Sequence, residues 1–389
     1  MAVHPDSPGS FNIAMFCGPY QDNGAAPWYA PLSVGTSDNP QVQYFALDTG
    51  TNMDWVTSTL CNTEACLMHP RFDPGLSSTY QQDDEGKVVD LDYGPWGSLQ
   101  AKIGTDVVNL PGGLSQSLTF GVAVSYSGPQ FEEIDWSACL ALPAQGEMQQ
   151  GFTNMMQAML DEGAVDPNKA WVCFDWNRET KQGSCLIGDV DWSGIDTSQF
   201  IALPFDSYTP IPSVDYIWTT AGATVSIGDL TLDDVFFCLD SGSSRFKGGP
   251  DTIDKIKANL GGNTNTLTIK VGNALGAESG TLVVPPELYM RTIEEGENAG
   301  ETLPQFAVLG ELPQLLLVGS VIMDYLYTVY VYDYVEVNGE MKAQGVGVVI
   351  FNKIGSPAVI QNDNAVTPIK GSDDLRAVFD ELTGKGAGA

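Results

Sequence analysis

Two short segments carry the residues best placed to do chemistry. Tyr44-Phe45-Ala46-Leu47 leads into Asp48-Thr49-Gly50-Thr51, and Phe236-Phe237-Cys238-Leu239 leads into Asp240-Ser241-Gly242-Ser243, an offset of 192 residues (240 minus 48). Each is an apolar run ending in a carboxylic acid, a hydroxyl residue, a glycine and a second hydroxyl residue. A carboxylate at the end of an apolar strand emerges from a dry floor, glycine lets the backbone turn tightly behind it, and the second hydroxyl can fix the carboxylate plane. One copy alone reads as an ordinary β-turn, because Asp and Gly are stock turn residues. Two copies change that reading: carboxyl groups brought close together cannot both ionise, so they share a proton and titrate as a pair. Such a pair can hydrolyse an amide without metal or covalent intermediate. The ionised member takes a proton from water, and the neutral one polarises or protonates the carbonyl oxygen.

A device repeated across half the chain predicts two similar lobes with a boundary near residues 191–204. Strand-like runs rich in β-branched and aromatic residues occupy 41–47, 87–91, 99–110, 117–126, 170–175, 223–227, 235–239, 267–271 and 327–334. Helical spacing is confined to 151–163, with Phe152, Met155, Met156 and Met159, and to 250–260, with Ile253, Ile256 and Leu260. A short amphipathic segment capped by Ser372, with Leu375, Val378, Phe379 and Leu382 on one face and Gly384 beyond, is expected to dock on the body. The chain is therefore expected to be all-β: an N-terminal lobe at 1–192, a C-terminal lobe at 193–352 and a tail at 353–389.

Composition excludes several other chemistries. The 389 residues carry 49 Asp and Glu against 17 Lys and Arg, a formal charge of -32, which repels phosphate backbones and argues against a nucleic-acid partner. The longest apolar run, 315–323, stops at Asp324, short of the roughly 20 residues a membrane helix needs. Residues 1–6 lack a basic and then apolar leader. His4 and His69 are the only histidines, too few for a histidine zinc site or a Ser-His triad. Gly248-Gly249 has no Lys-Ser/Thr after it, so a phosphate loop is not supported. No metal or cofactor is expected. Of seven cysteines, Cys61 and Cys66 lie five apart in a turn-like segment and are expected to pair. Cys173 and Cys185 flank 177–183 and form a second candidate pair, with buried free thiols as the alternative. Cys139 and Cys238 read as small buried hydrophobes.

Residues 44–56, YFALDTGTNMDWV, are followed by Cys61-Asn62-Thr63-Glu64-Ala65-Cys66, His69, Phe72-Asp73-Pro74 and Ser77-Ser78-Thr79-Tyr80. That run resembles the first active-site segment of the pepsin-like aspartic proteinases. Asp92-Tyr93-Gly94 through Gly97-Ser98 resembles their flap hairpin, residues 237–246 their second active-site segment, and Val318-Gly319-Ser320-Val321, Tyr327-Thr328-Val329-Tyr330 and Gly345-Val346-Gly347 their closing segment. The resemblance spans 28–351. It implies a bilobal fold of two similar antiparallel β lobes, with a few short helices and an active-site cleft between them. Asp48 and Asp240 would form the catalytic dyad, oriented by Thr51 and Ser243, with Thr49 and Ser241 locking the two turns and Gly50 and Gly242 shaping them. Tyr93, Gly94 and Trp96 would belong to the flap, and Trp55 would pack behind it. The implied protein is a monomeric aspartic endopeptidase that takes an extended peptide by strand-like hydrogen bonds, exported or held in an acidic or vacuolar compartment, with a cytoplasmic site left open. The alternative is a pepsin-fold protein that binds a protein or small molecule, or does other acid–base chemistry, without cutting peptides.

Three departures from the family pattern stand out. The flap is one residue longer than usual and contains Pro95. Ala138 and Ala141 stand where glycine is expected, adding methyl groups that would crowd the site. Ser320 stands where many acid-acting members have an aspartate, which predicts lowered apparent pKa values for the pair and activity at milder pH.

Overall fold

Strict alternation organises the first strand: in Phe11–Cys17, Phe11, Ile13, Met15 and Cys17 are buried and the residues between them face outward, the period of two that a half-covered sheet imposes. The computed structural model describes residues 8–36, 38–83, 86–128, 130–271, 280–363 and 366–382. The readings of residues 1–6, of the Leu382 side chain and of Gly384 lie outside the described residues. Strands dominate, and the longest of the few short α-helices is Ser372–Leu382, so the chain is mostly β as expected. Among the described residues no helix is long and apolar enough to cross a membrane.

One long sheet begins at Ile195–Pro204 and passes through Glu340–Lys353, Leu326–Val337, Trp171–Asn177, Gln182–Ile187, Phe11–Cys17 and Trp28–Val34. It continues through Gln41–Asp48, Ala138–Ala141 and Trp55–Val56 to Ser115–Ser127, Ser98–Asn109 and Gln81–Gln82. Both halves of the chain contribute to it, joined where Trp171 pairs with Val331 and Asp175 with Tyr327. A second sheet contains only strands of the second half, among them Leu230–Leu239, Phe246–Gly248 and Leu315–Val318. Trp28 and Trp176 stack at 5.2 Å in the core, each 1% exposed, and burial of a ring of that size contributes roughly 3 kcal/mol.

The sequence repeat is also a repeat of strand pairing. Gln41–Asp48 runs parallel to Ala138–Ala141 with Asp48 opposite Ala141, and Leu230–Leu239 runs parallel to Leu315–Val318 with Leu239 opposite Val318. The strand leaving each acidic turn then returns antiparallel on the far side: Trp55–Val56 beside Ala138–Ala141, and Phe246–Gly248 beside Leu315–Val318. The largely antiparallel sheets thus each include a parallel pair at the acidic turn. The parallel pairs arise because the partner strand of each acidic turn comes from a distant segment rather than from a hairpin.

Two local expectations are corrected. The helix expected at 151–163 is only Met155–Asp161, because Asn154 caps it by accepting from Gln157 N at 3.1 Å and Gly151 has φ +71°, outside helical space. Cys61 and Cys66 form a disulfide, whereas Cys173 and Cys185 are free. Cys173 is paired with Leu186, and Cys185 with Phe174. That one-residue offset sends the two thiols to opposite faces of the sheet, where they join different hydrophobic clusters.

The C-terminal segments pack on the body. Ile360–Asn362 adds to the edge of the second sheet, and Leu375 and Phe379 of Ser372–Leu382 are buried, with Arg376 Nη2 2.7 Å from Asp333 Oδ1.

Candidate active site

The apolar end of each repeated strand is buried, and the acid that follows sits at the edge of that floor: Asp48 is 7% and Asp240 5% exposed. In both turns the glycine two residues on donates its N–H back to the acid, Gly50 N to Asp48 Oδ1 at 2.7 Å and Gly242 N to Asp240 Oδ1 at 2.9 Å. The turns are locked reciprocally. Thr49 N donates to Ser241 Oγ at 2.9 Å and Ser241 N to Thr49 Oγ1 at 3.0 Å, while Ser241 Oγ donates to Leu47 O and Thr49 Oγ1 to Leu239 O. Two loops from distant parts of the chain thereby hold each other through buried, satisfied hydrogen bonds, an arrangement that specifies one geometry.

The result is a pair of buried carboxyl groups, Asp48 and Asp240, close enough to act on each other's charge. Burial first, and then the neighbouring Asp240, push the Asp48 carboxyl well above the ordinary carboxylate range, with the Gly50 N–H acting in the opposite direction. Ser243 Oγ donates to Asp240 Oδ2 at 2.5 Å. Thr51, expected to do the same for Asp48, accepts from Met53 N at 3.3 Å. The glycines serve a purpose different from the one expected. Neither Gly50 nor Gly242 has positive φ; each is bare because the opposite aspartate lies against it.

The flap is the hairpin of Val88–Asp92 and Ser98–Asn109, and its extra residue is absorbed in the turn Gly94–Trp96 between Gly94 (φ +63°) and Gly97 (φ +115°). Tyr93 hangs from it, its hydroxyl accepting from Trp55 Nε1 at 2.9 Å. Trp55 is 1% exposed and packs with Tyr126, Phe131 and Trp136. Ala138 and Ala141 are fully buried and keep register on both sides of their strand, so their methyl groups are accommodated. Asp54, also buried, accepts from Ala141 N at 2.6 Å and ties that strand to the first turn. Ser320 is fully buried, its N–H donating to Ser243 O at 2.8 Å. By charge alone, a serine in place of an aspartate lowers rather than raises the pKa of a neighbouring carboxyl, so the milder pH range expected from the sequence does not follow from it.

Between flap and floor lies a cavity of about 300 Å³ lined by Asp48, Asp240, Tyr93, Trp96, Ile217 and Leu317 among others. Cys139, buried as the sequence reading had it, places Sγ 4.0 Å from Asp48 Oδ2. One residue lining the cavity was missed from the sequence. Lys247 donates from Nζ to Ser243 Oγ at 2.9 Å beneath the Trp96 ring. The available signal for Lys247 was a basic residue, rare in this acidic chain, four positions after Ser243. Chemically, the site offers one carboxyl that retains a proton beside one that can be ionised, at the bottom of a partly apolar cleft.

The chain is similar in sequence to known proteins. The family model described as eukaryotic aspartyl protease matches residues 27–338. Cathepsin E-A of Xenopus laevis is 30% identical over 245 residues, covering 60% of this chain and 57% of the relative. Embryonic pepsinogen of Gallus gallus is 27% identical over 240 residues, covering 61% and 59%. Gastricsin of Rattus norvegicus is 32% identical over 166 residues, covering 43% and 41%. The aligned chain thus spans at most about three fifths of the length of these curated relatives. With the family match running from before the first acidic turn to beyond the second, this chain belongs to the eukaryotic aspartyl protease family.

Proposed function

We propose that the chain is an aspartic endopeptidase whose catalytic dyad is Asp48 and Asp240. The observation that carries this reading is a pair of buried carboxyl groups whose turns are locked to each other, each acid lying against the glycine of the opposite turn. Asp48, held above the usual carboxylate range, keeps the proton. Asp240, receiving hydrogen bonds from Gly242 N and Ser243 Oγ, is the ionised partner. Water held between them gives one proton to Asp240 as its oxygen bonds to the scissile carbonyl carbon, and the carbonyl oxygen takes the proton of Asp48. The tetrahedral diol then returns a proton to Asp48 while Asp240 protonates the amine, and the C–N bond breaks. The pair finishes in its starting state.

The substrate we infer is a peptide in extended conformation, covered by Tyr93, Gly94 and Trp96, with apolar side chains against Ile217, Leu312 and Leu317. We assign 1–192 and 193–352 to the two lobes and 353–389 to the tail, with the long shared sheet as the platform that joins them. The working form is a monomer in an exported or acidic compartment, to which the disulfide is suited. The test is digestion of a denatured protein across about pH 2 to 8, with and without a statine-type inhibitor, beside Asp48→Asn and Asp240→Asn. Acid-range cleavage abolished by the inhibitor and by either substitution is expected. Cleavage surviving both substitutions would refute the dyad, and silence at every pH would leave the binding-protein reading.

A further inference from the structure

The cleft holds a cation that the reaction just described does not use. Lys247 lies in strand Phe246–Gly248, 2% exposed, between the flap and the turn carrying Asp240. A buried ammonium is costly unless its hydrogens find partners. Here the two partners are both uncharged: Nζ donates to Ser243 Oγ at 2.9 Å and sits 3.8 Å from the centre of the Trp96 ring. Gly24 makes room for the chain, since a Cβ there would lie 3.3 Å from Lys247 Cε.

An ammonium has three hydrogens and no lone pair. Toward Lys247, therefore, Ser243 Oγ can only accept, and its single hydrogen is committed to Asp240 Oδ2 at 2.5 Å. The direction from lysine to serine to aspartate is set by charge, and hydrogen bonds so chained strengthen one another. Such a chain favours an ionised Asp240 and leaves the proton on Asp48. On its other side the same charge supports the flap tip through the face of Trp96. Trp96 and Lys247 also form the wall between the main cavity and a second one of about 270 Å³.

We propose that Lys247 is a positioning residue that couples the flap to the aspartate pair, seating Trp96 on one side and, through Ser243, fixing the proton arrangement of Asp48 and Asp240 on the other. The proposal rests on the peptidase reading and adds to it a link between flap closure and the charge state of the pair. Burial brings the Lys247 ammonium down to about 7, opposed by Asp240 and Asp48 and aided by Arg245. Arg245 is itself ion-paired with Asp22, Glu133 faces the second cavity and Asp92 the first. Deprotonation gives the amine a lone pair, releases the hydrogen of Ser243 and weakens the seat of Trp96. The link is present at acid pH and is lost as pH rises through neutrality.

Lys247→Met and Lys247→Arg in the full chain test this, read by the pH profile of kcat/KM and by hydrogen exchange of the flap hairpin. Loss of the cation is expected to move the acid limb about one unit to higher pH and to speed flap exchange about tenfold. Lys247→Arg is expected to restore both, and Trp96→Leu to speed flap exchange without moving the limb. In wild type, flap exchange corrected for its intrinsic pH dependence is expected to rise across neutrality, and in Lys247→Arg to stay level. A Lys247→Met variant with the wild-type limb and wild-type flap exchange overturns the proposal. Should wild type cleave nothing, the peptidase reading fails by itself, and the flap exchange of Lys247→Met still decides whether the lysine seats the flap.

Discussion

Gly242 stands with its bare α-carbon against the carboxyl group of Asp48: a Cβ added there would lie 2.3 Å from Asp48 Cγ. Gly50 bears the same relation to Asp240, with a Cβ 2.5 Å from Oδ1. Each turn therefore makes room for the acid of the other, and the two halves of the chain are fitted together at the scale of one methyl group.

Gly242→Ala is accordingly expected to displace Asp48 and to lower kcat at least about a hundredfold, the effect of a displacement near 1 Å at a reacting group. Overpacking of this kind costs about 1–3 kcal/mol in stability, so the variant remains folded. Steady-state kinetics and thermal unfolding together check this, and a near-normal kcat would mean that the acids are not held as described.

Tyr93→Phe removes the acceptor of the Trp55 Nε1–H, which lies in a closely packed aromatic cluster. An unpaired buried donor costs about 1–3 kcal/mol, and the loosened flap is expected to raise KM several-fold more than it lowers kcat. An unchanged KM with an unchanged melting temperature would count against the bond as an anchor of the flap.

Asp135→Asn is expected to alter the pH dependence of stability. Burial and then Glu295 push the Asp135 carboxyl from 3.8 up to about 7. The folded state therefore holds this proton more tightly than the unfolded chain does. The stabilisation it brings is complete below about pH 4 and is lost as pH rises through about 7, an effect on the order of 4 kcal/mol. Urea midpoints measured across that window should fall less steeply in Asp135→Asn than in wild type; parallel curves would contradict the assignment.

Much of the candidate site was legible because its chemistry is packed into contiguous turns. The order acid, hydroxyl, glycine, hydroxyl is local, and so is the apolar strand before it. The disulfide Cys61–Cys66 closes a short loop within one turn-like segment. The helix at 250–260 was found nearly to its ends, at Pro250–Ala258, because Pro at its first position and the spacing of Ile253 and Ile256 are local signals too.

What the chain order could not reveal was pairing register and convergence. Cys173 and Cys185 flank one hairpin, yet an offset of a single residue sends them to opposite faces. Lys247 reads as one of a few cations until the fold sets Trp96 of the flap over it, Gly24 beside it and Ser243 before it. By itself, the sequence determined that two acidic turns exist, that each ends an apolar strand and that they belong to related halves. Only the tertiary structure decided that their glycines face the opposite acids and that a lysine is buried between flap and floor. Covalent neighbours fix what a turn can be, but contacts between segments some 150 or more residues apart are set only when sheets close and side chains compete for the same space.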